Sequence, residues 1–315
     1  MKRNSICIFL MLSILMPAIA FAGGSNNSEK CNTKYPVVMV HGIAIKDNNL
    51  LGVNYWWGIV EALEDEGAQV YVTDQHCFQS HEYRACEIFK ELLYIRAIDG
   101  HEKFNIIAHS QGALDARYLI THCSGTLPMS DRTRPGKRVF GHEIVSSLST
   151  ISGVHRGTAL SDLTMSILPG SLVKFFAGAV DLFAGMFFYG ETEADSLKAM
   201  KCLSKKYMTE VFNPNTPDMP GVYYQSWAGK IKTLTSELVL FPTWMILKFL
   251  EGDNDGLVSV KSAKWGKFRG VVSGAWWCGG VSHWNEINHL FGITPGFDAE
   301  GFYVDMVKEL KKKGY

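Results

Sequence analysis

Residues 103–117 read Lys-Phe-Asn-Ile-Ile-Ala-His-Ser-Gln-Gly-Ala-Leu-Asp-Ala-Arg. The pattern predicts a strand from Phe104 to Ile107, a sharp turn carrying Ser110, and a helix starting near Gly112. A serine that attacks a carbonyl must hold its Oγ outside regular secondary structure, within reach of solvent and of a base. A tight strand-to-helix turn does this at the cost of backbone strain, and it needs small residues two before and two after the serine. Those positions hold Ala108 and Gly112. The usual form is G-x-S-x-G, so Ala108 is a mild departure that still permits close packing. Ser110 is the candidate nucleophile.

A serine hydroxyl is a poor nucleophile at neutral pH and needs an imidazole to take its proton. The imidazole in turn needs an acid that fixes its tautomer and stabilises the imidazolium. On a strand–turn–helix scaffold of this kind the chain order is serine, acid, histidine. Glu251-Gly-Asp-Asn-Asp-Gly-Leu-Val258 places acids in a turn beside an apolar segment. Asp255, directly before Gly256-Leu257-Val258, is the candidate acid, and Asp253 reads as a turn-capping or solvated residue. Downstream only His283 and His289 remain. His283 lies in a loop, Gly279-Gly-Val-Ser-His-Trp-Asn285, and is the candidate base. His289 is expected inside the following helix in a structural role. His109 reads as a packing or supporting neighbour of the nucleophile. His41 and His155 open loops at strand ends and can line the site without acting as bases. The oxyanion of a tetrahedral intermediate needs two donors. The backbone N–H of Gln111, after the nucleophile, and that of Ile43, in the His41-Gly42-Ile43 loop, are the expected pair. Gly42 lets that backbone approach closely because it has no Cβ.

The elements that must position these groups follow from hydrophobic patterning. Tyr35 to Val40 is a continuous apolar run typical of a strand buried on both faces. A helix is predicted over Tyr55 to Glu66, ended by Gly67, and then a strand over Gln69 to Val72. Another helix covers roughly Glu82 to Ile98, and further strands cover Val145 to Ser152 and Gly221 to Ser226. Alternating strands and helices imply a mostly parallel sheet with helices on both faces. No internal repeat or low-complexity linker divides the chain. Leu160 to Tyr189 is apolar nearly all round and broken by Pro169-Gly170. Lys174 and Asp181 within it argue against a membrane span. A plain core helix and a mobile cap over an apolar pocket both fit its composition.

Residues 1–22 have the makeup of a secretory signal: Lys2 and Arg3, an apolar core from Ile6 to Ala20, then Ala20-Phe21-Ala22 before Gly23. Cleavage there would leave residues 23–315 as a single domain, exported to a periplasm or beyond. The whole chain carries 31 basic and 31 acidic residues, a balance that offers nucleic acid no basic surface. Six cysteines lie beyond the signal, an even number that favours disulfides in an exported protein. Cys77 and Cys86 are near enough for a local bridge, and no cysteine–histidine spacing suggests zinc.

Taken together these residues resemble the secreted bacterial triacylglycerol lipases of the Pseudomonas/Burkholderia type. The likeness runs through Tyr35–Gly42, Tyr55–Leu63, Gly67–Tyr71, Ala108–Gly112, Ile151–Thr158, Pro220–Gln225, Asn254–Val258 and His283–Asn288. It implies an α/β-hydrolase fold with a helical lid at about residues 160–190. It also implies fatty-acyl esters as substrates and the same trio of Ser110, Asp255 and His283. The same chemistry would serve a phospholipase, a short-chain carboxylesterase or a polyester depolymerase. A non-catalytic lipid-binding protein on this scaffold is a remote alternative. Some members of the family require a dedicated folding helper. They also hold a structural calcium ion, partly through an Asp two residues after the catalytic histidine. Here that position is Asn285, and near the second expected ligand only Glu237 is acidic. Losing carboxylates weakens such a site sharply, so calcium is expected to be absent or weakly bound and no cofactor is required. The family's disulfide is unmatched after Asp255. Cys278 with Cys202 is the pair that would clamp the histidine loop.

Overall fold

In the computed structural model, which describes residues 29–43, 54–166, 196–233, 238–289 and 292–315, the strand β1 (Val37–Val40) shows how the fold is specified. All four of its side chains are fully buried, but alternate ones face opposite layers. Val38 and Val40 pack with Ala85, Ile88 and Leu92 of α2 (His81–Asp99) and Ala116 and Leu119 of α3 (Gly112–His122). Val37 and Met39 pack with Ile59 and Leu63 of α1 (Ile59–Asp65) and with Tyr303, Met306 and Val307 of the C-terminal helix, Ala299–Lys312. Two apolar layers on one strand explain its unbroken hydrophobic run, each such side chain contributing about 1.5–3 kcal/mol on burial.

The central sheet has six parallel strands: β1, β2 (Val70–Val72), β3 (Phe104–His109), β4 (Val145–Ile151), β5 (Tyr223–Ala228) and β6 (Lys267–Val271), in the order β2-β1-β3-β4-β5-β6. Since all strands run the same way, their C-terminal ends share one edge, where ligands of open α/β sheets bind. This is the α/β-hydrolase fold, a mostly parallel sheet with helices on both faces.

Most expected elements fall within one or two residues of their observed bounds, and the differences have local causes. The helix expected over Tyr55 to Glu66 begins only at Ile59, because Gly58 adopts φ 70 and interrupts the segment. Tyr55 and Trp56 therefore sit buried in a loop rather than on a helix face. The segment after His283 is a single 3-10 turn, Asn285–Ile287, closed by Asn288 at φ 62, so His289 lies beyond it and not inside a helix. His289 is buried, with Nε2 2.9 Å from the Asn54 carbonyl, a structural tie between two loops. β6 and a small antiparallel ladder of Ser124–Thr126 with Arg138–Phe140 were not anticipated.

The signal segment 1–22 lies outside the described residues, as do residues 167–195 of the expected lid; the preceding helix, Ala159–Ser166, is described. Among the described residues no helix is long and apolar enough to cross a membrane. No disulfide joins the six described cysteines, of which Cys86 is exposed and the other five are buried. Neither Cys77–Cys86 nor Cys202–Cys278 is bonded. Cys86 instead interacts with Cys123, at the end of α3.

Candidate active site

Ser110 follows β3 directly and has φ 57, a left-handed conformation that costs a non-glycine residue about 1–3 kcal/mol. The turn is held by Ser110 N–H donating to the Ile151 carbonyl at 3.1 Å and by α3 starting two residues later. Its neighbours must be small for steric reasons that the structure makes explicit. A Cβ on Gly112 would lie 2.6 Å from the His41 carbonyl oxygen and 2.7 Å from that of Val40. Ala108 is fully buried and pairs in register with Val40.

The His41–Ile43 loop leaves the neighbouring strand and passes over the nucleophile. A Cβ on Gly42 would sit 2.7 Å from Ser110 Cβ, so only glycine fits there. Two buried side chains fix the loop. Arg84 donates from Nη2 to the carbonyls of His41 (2.8 Å) and Gly42 (3.0 Å), with its Nε paired to Asp115 at 2.7 Å. Burial pushes the Asp115 carboxyl up to about 6, against the pull of Arg84. Tyr55 Oη accepts the Gly42 N–H at 2.9 Å. Among the described residues, the N–H groups of Ile43 and Gln111 donate to no protein acceptor, as an oxyanion site requires.

Asp255 and His283 come together although 28 residues apart. His283 Nδ1 lies 2.8 Å from Asp255 Oδ2, and the His283 N–H donates to the Asp255 carbonyl at 3.0 Å. Asp255 is fully buried, and its other oxygen accepts the N–H groups of Leu257 (2.8 Å) and Val258 (2.7 Å). Such fixed donors replace the water that the carboxylate has lost. The two loops are joined by a short antiparallel ladder, Lys230–Ile231 with Gly280–Val281, and by Ile231 N–H donating to the Asn254 carbonyl. The His283 ring rests against that of His109, next to Ser110, with centroids 4.3 Å apart. Asp253 points away into ion pairs with Lys230 (2.5 Å) and Lys248 (2.6 Å) at the surface. His41 and His155 are fully buried.

Two functional neighbours escaped the sequence reading. Glu286, fully buried three residues after His283, has Oε2 2.9 Å from His109 Nε2 and 3.8 Å from His283 Nδ1. Its Oε1 accepts the hydroxyl proton of Ser152 at 2.6 Å. Burial, then the nearby Asp255 charge, raises the Glu286 carboxyl well above the ordinary glutamate range. Burial, then His283, lowers His109 well below the ordinary histidine range. Tyr55 Oη lies 2.6 Å from His109 Nδ1, completing the group. An acid one helical turn after the candidate base was the available signal for Glu286. Tyr55 carried none.

Two groups of described side chains have metal-ligand spacing: His109, His283 and Glu286, and His81, Glu82 and Cys202. Both are already internally bonded, the second through the Tyr207 hydroxyl at 3.2 Å from His81 and 3.0 Å from Glu82. At the position of the expected calcium ligand, Asn285 Oδ1 accepts the Ser282 N–H (3.3 Å) and its Nδ2 donates to the His289 carbonyl (3.0 Å). The amide thus braces the loop itself, and this residue does not fit the cation.

Residues 35–121 match the alpha/beta hydrolase fold family, a stretch that runs from the first strand through the Ser110 turn and α3. A triacylglycerol lipase of Vibrio cholerae is 28% identical to this chain, the alignment covering 99% of each. One of Burkholderia plantarii is also 28% identical, over 85% of this chain and 82% of its own length. Among solved structures, lipase 1 of Pelosinus fermentans superposes with a TM-score of 0.63 at 18% identity, covering 89% of this chain and 99% of that one. The Staphylococcus hyicus lipase gives 0.61 at 19% identity, covering 91% and 98%. The chain thus has the α/β-hydrolase fold and resembles triacylglycerol lipases over nearly its whole length.

Proposed function

We propose that the chain is an exported serine ester hydrolase that cleaves fatty-acyl esters of lipids through an acyl-enzyme. The observation that supports this reading is a left-handed Ser110 whose chain neighbour His109 has its ring 4.3 Å from that of His283, itself bonded to the buried Asp255. Ser110 Oγ attacks the ester carbonyl and His283 takes its proton. Asp255 holds the imidazole in one tautomer and stabilises the imidazolium. The negative oxygen of the tetrahedral intermediate is met by the N–H groups of Ile43 and Gln111. Collapse expels the alcohol, protonated by His283, and leaves the acyl group on Ser110. Water, deprotonated by the same imidazole, then releases the fatty acid and restores the serine.

Residues 160–190, apolar in composition, serve in this reading as the lid that meets the lipid–water interface. Residues 1–22 direct export, and a dedicated folding helper is a partner the family likeness makes reasonable. The loop that carries Asn285 works without calcium, because its amide supplies the bracing a metal would give.

The test is hydrolysis of emulsified long-chain triglyceride against soluble short-chain esters, across each substrate's solubility limit, with and without chelator. A rate jump when an interface forms, unaffected by chelation and abolished by Ser110→Ala, is the expected result. Activity confined to soluble short-chain esters would make the protein an esterase. Retained turnover in folded Ser110→Ala would overturn the assignment.

A further inference from the structure

The buried polar groups behind the site form one continuous chain of hydrogen bonds. Gly42 N–H donates to Tyr55 Oη at 2.9 Å. Tyr55 Oη then donates its proton to His109 Nδ1 at 2.6 Å. This leaves the His109 proton on Nε2, where it meets Glu286 Oε2 at 2.9 Å. Glu286 Oε1 accepts from Ser152 Oγ at 2.6 Å, and Ser152 Oγ accepts the Gly229 N–H at 3.1 Å. Each link uses a donor and an acceptor in the sense its neighbours require. The chain links Gly42, Tyr55, His109, Glu286, Ser152 and Gly229 and starts at the amide beside the expected oxyanion donor, Ile43.

Three further observations point the same way. Ser110 and Ser152 hold positive φ of 57 and 44 at the ends of adjacent strands, a strained pair of turns that the chain spans. A Cβ on Gly229 would lie 2.0 Å from Glu286 Oε1, so the backbone there is shaped to admit the carboxylate. Burying such a group is costly unless it is fully bonded, and a fully bonded buried network rigidifies what it touches.

We propose that Tyr55, His109 and Glu286 form a positioning strut that holds the Gly42–Ile43 backbone in the geometry needed to bind the oxyanion. The inference rests on the reading of Ser110, Asp255 and His283 as the catalytic trio. The three residues act through the loop and not on substrate. The strut persists whether Glu286 is ionised or protonated, because Oε2 accepts from His109 in either state.

The test begins with Tyr55→Phe, which removes one hydroxyl and leaves the ring. Loss of an oxyanion donor costs about 10²–10³ in kcat, and a donor that is displaced and not deleted should cost less, about 10-fold or more. The KM for a soluble ester should stay within about two-fold. Inhibition by a boronic acid, which places a negative oxygen in the oxyanion site, should weaken in parallel with kcat. A packing defect alone would not produce that parallel. Unchanged kcat and boronate affinity in folded Tyr55→Phe would overturn the proposal.

His109 provides a second route if Tyr55→Phe does not fold. In His109→Asn the amide sits near the place of Nδ1 and keeps a partner for Tyr55. In His109→Gln the amide reaches the place of Nε2 and keeps only the partner for Glu286. The Asn variant should retain more activity and tighter boronate binding than the Gln variant, and the reverse order would refute the strut. Ser110→Ala separates the two readings. If it abolishes turnover while Tyr55→Phe and the His109 pair behave alike and near wild type, the catalytic reading stands and the strut fails. If Ser110→Ala remains active, both fail together.

Discussion

Two carboxylates flank the same imidazole, and their surroundings differ. Asp255 reaches His283 Nδ1 at 2.8 Å from a turn whose own backbone N–H groups solvate its second oxygen. Glu286 stands 3.8 Å from the same nitrogen, and side chains on other segments bond it: His109 and Ser152. Local sequence builds the first environment, in which a tight turn delivers donors to its own aspartate. Tertiary packing builds the second, and its acid is raised well above the ordinary range by burial and by the Asp255 charge. The comparison teaches that proximity to the candidate base, His283, does not by itself make a carboxylate the orienting acid. The acid that faces the nitrogen at hydrogen-bond distance, its other oxygen held by its own turn, is the one placed to orient the imidazole.

The sharpest way to break this comparison is Asp255→Asn. The shape is kept, but the amide cannot enforce the tautomer, and kcat should fall by about 10⁴-fold with the fold intact. If Glu286→Gln instead proved the more damaging of the two, the roles assigned to the acids would have to be exchanged.

A smaller effect should appear in stability against pH. Glu286 has a raised pKa in the folded protein, so above about 4.5 the native state keeps a proton that the unfolded chain has released. Its stabilising contribution is therefore present at low pH and is lost as pH rises toward the folded value, by at most about 1.4 kcal/mol per pH unit. His109 and His155 act in the opposite sense. Both are held neutral by burial, so stability is lost as pH falls below about 6.5, where the unfolded histidines take up protons. Urea unfolding at a series of pH values should show wild type losing stability as pH rises above about 4.5, relative to Glu286→Gln. Parallel curves for the two proteins would show that the carboxyl is not raised.

How much of this was legible in the sequence depends on the range of the interactions. The parallel sheet was readable because strands such as Val37–Val40 bury both faces and so leave an unbroken apolar run. Ser110 was readable because the strain of its turn restricts the flanking residues, and the clash that a Cβ at Gly112 would meet shows why. His283 and Asp255 were selected by chain order, and the structure pairs them. Tyr55 was hidden: it occupies the interrupted start of an expected helix, and its partners are 13 and 54 residues away. Glu286 lies within the His283–Asn288 motif without a local sign of its role, because its partner Ser152 lies 134 residues away. A one-dimensional pattern records local constraint and says little about which distant polar groups will meet.

The finest test of the comparison uses Asp253, two residues before Asp255 and of identical chemistry. Its carboxylate bridges Lys230 and Lys248 at the surface, and those hydrogen bonds hold it below the usual aspartate range. All three side chains are about a third exposed or more, so water and salt screen the pairs, and each is worth about 0–1 kcal/mol. Asp253→Asn should change stability by about 0.5 kcal/mol or less and leave kcat within about two-fold. Lys230 opens the ladder that joins the acid loop to the histidine loop, so the ion pair is a route by which the Asp253 side chain can reach the chemistry. A kcat loss comparable to that of Asp255→Asn would mean that the ladder depends on that pair. The acid loop would then be held from its solvent side as well as by its own turn.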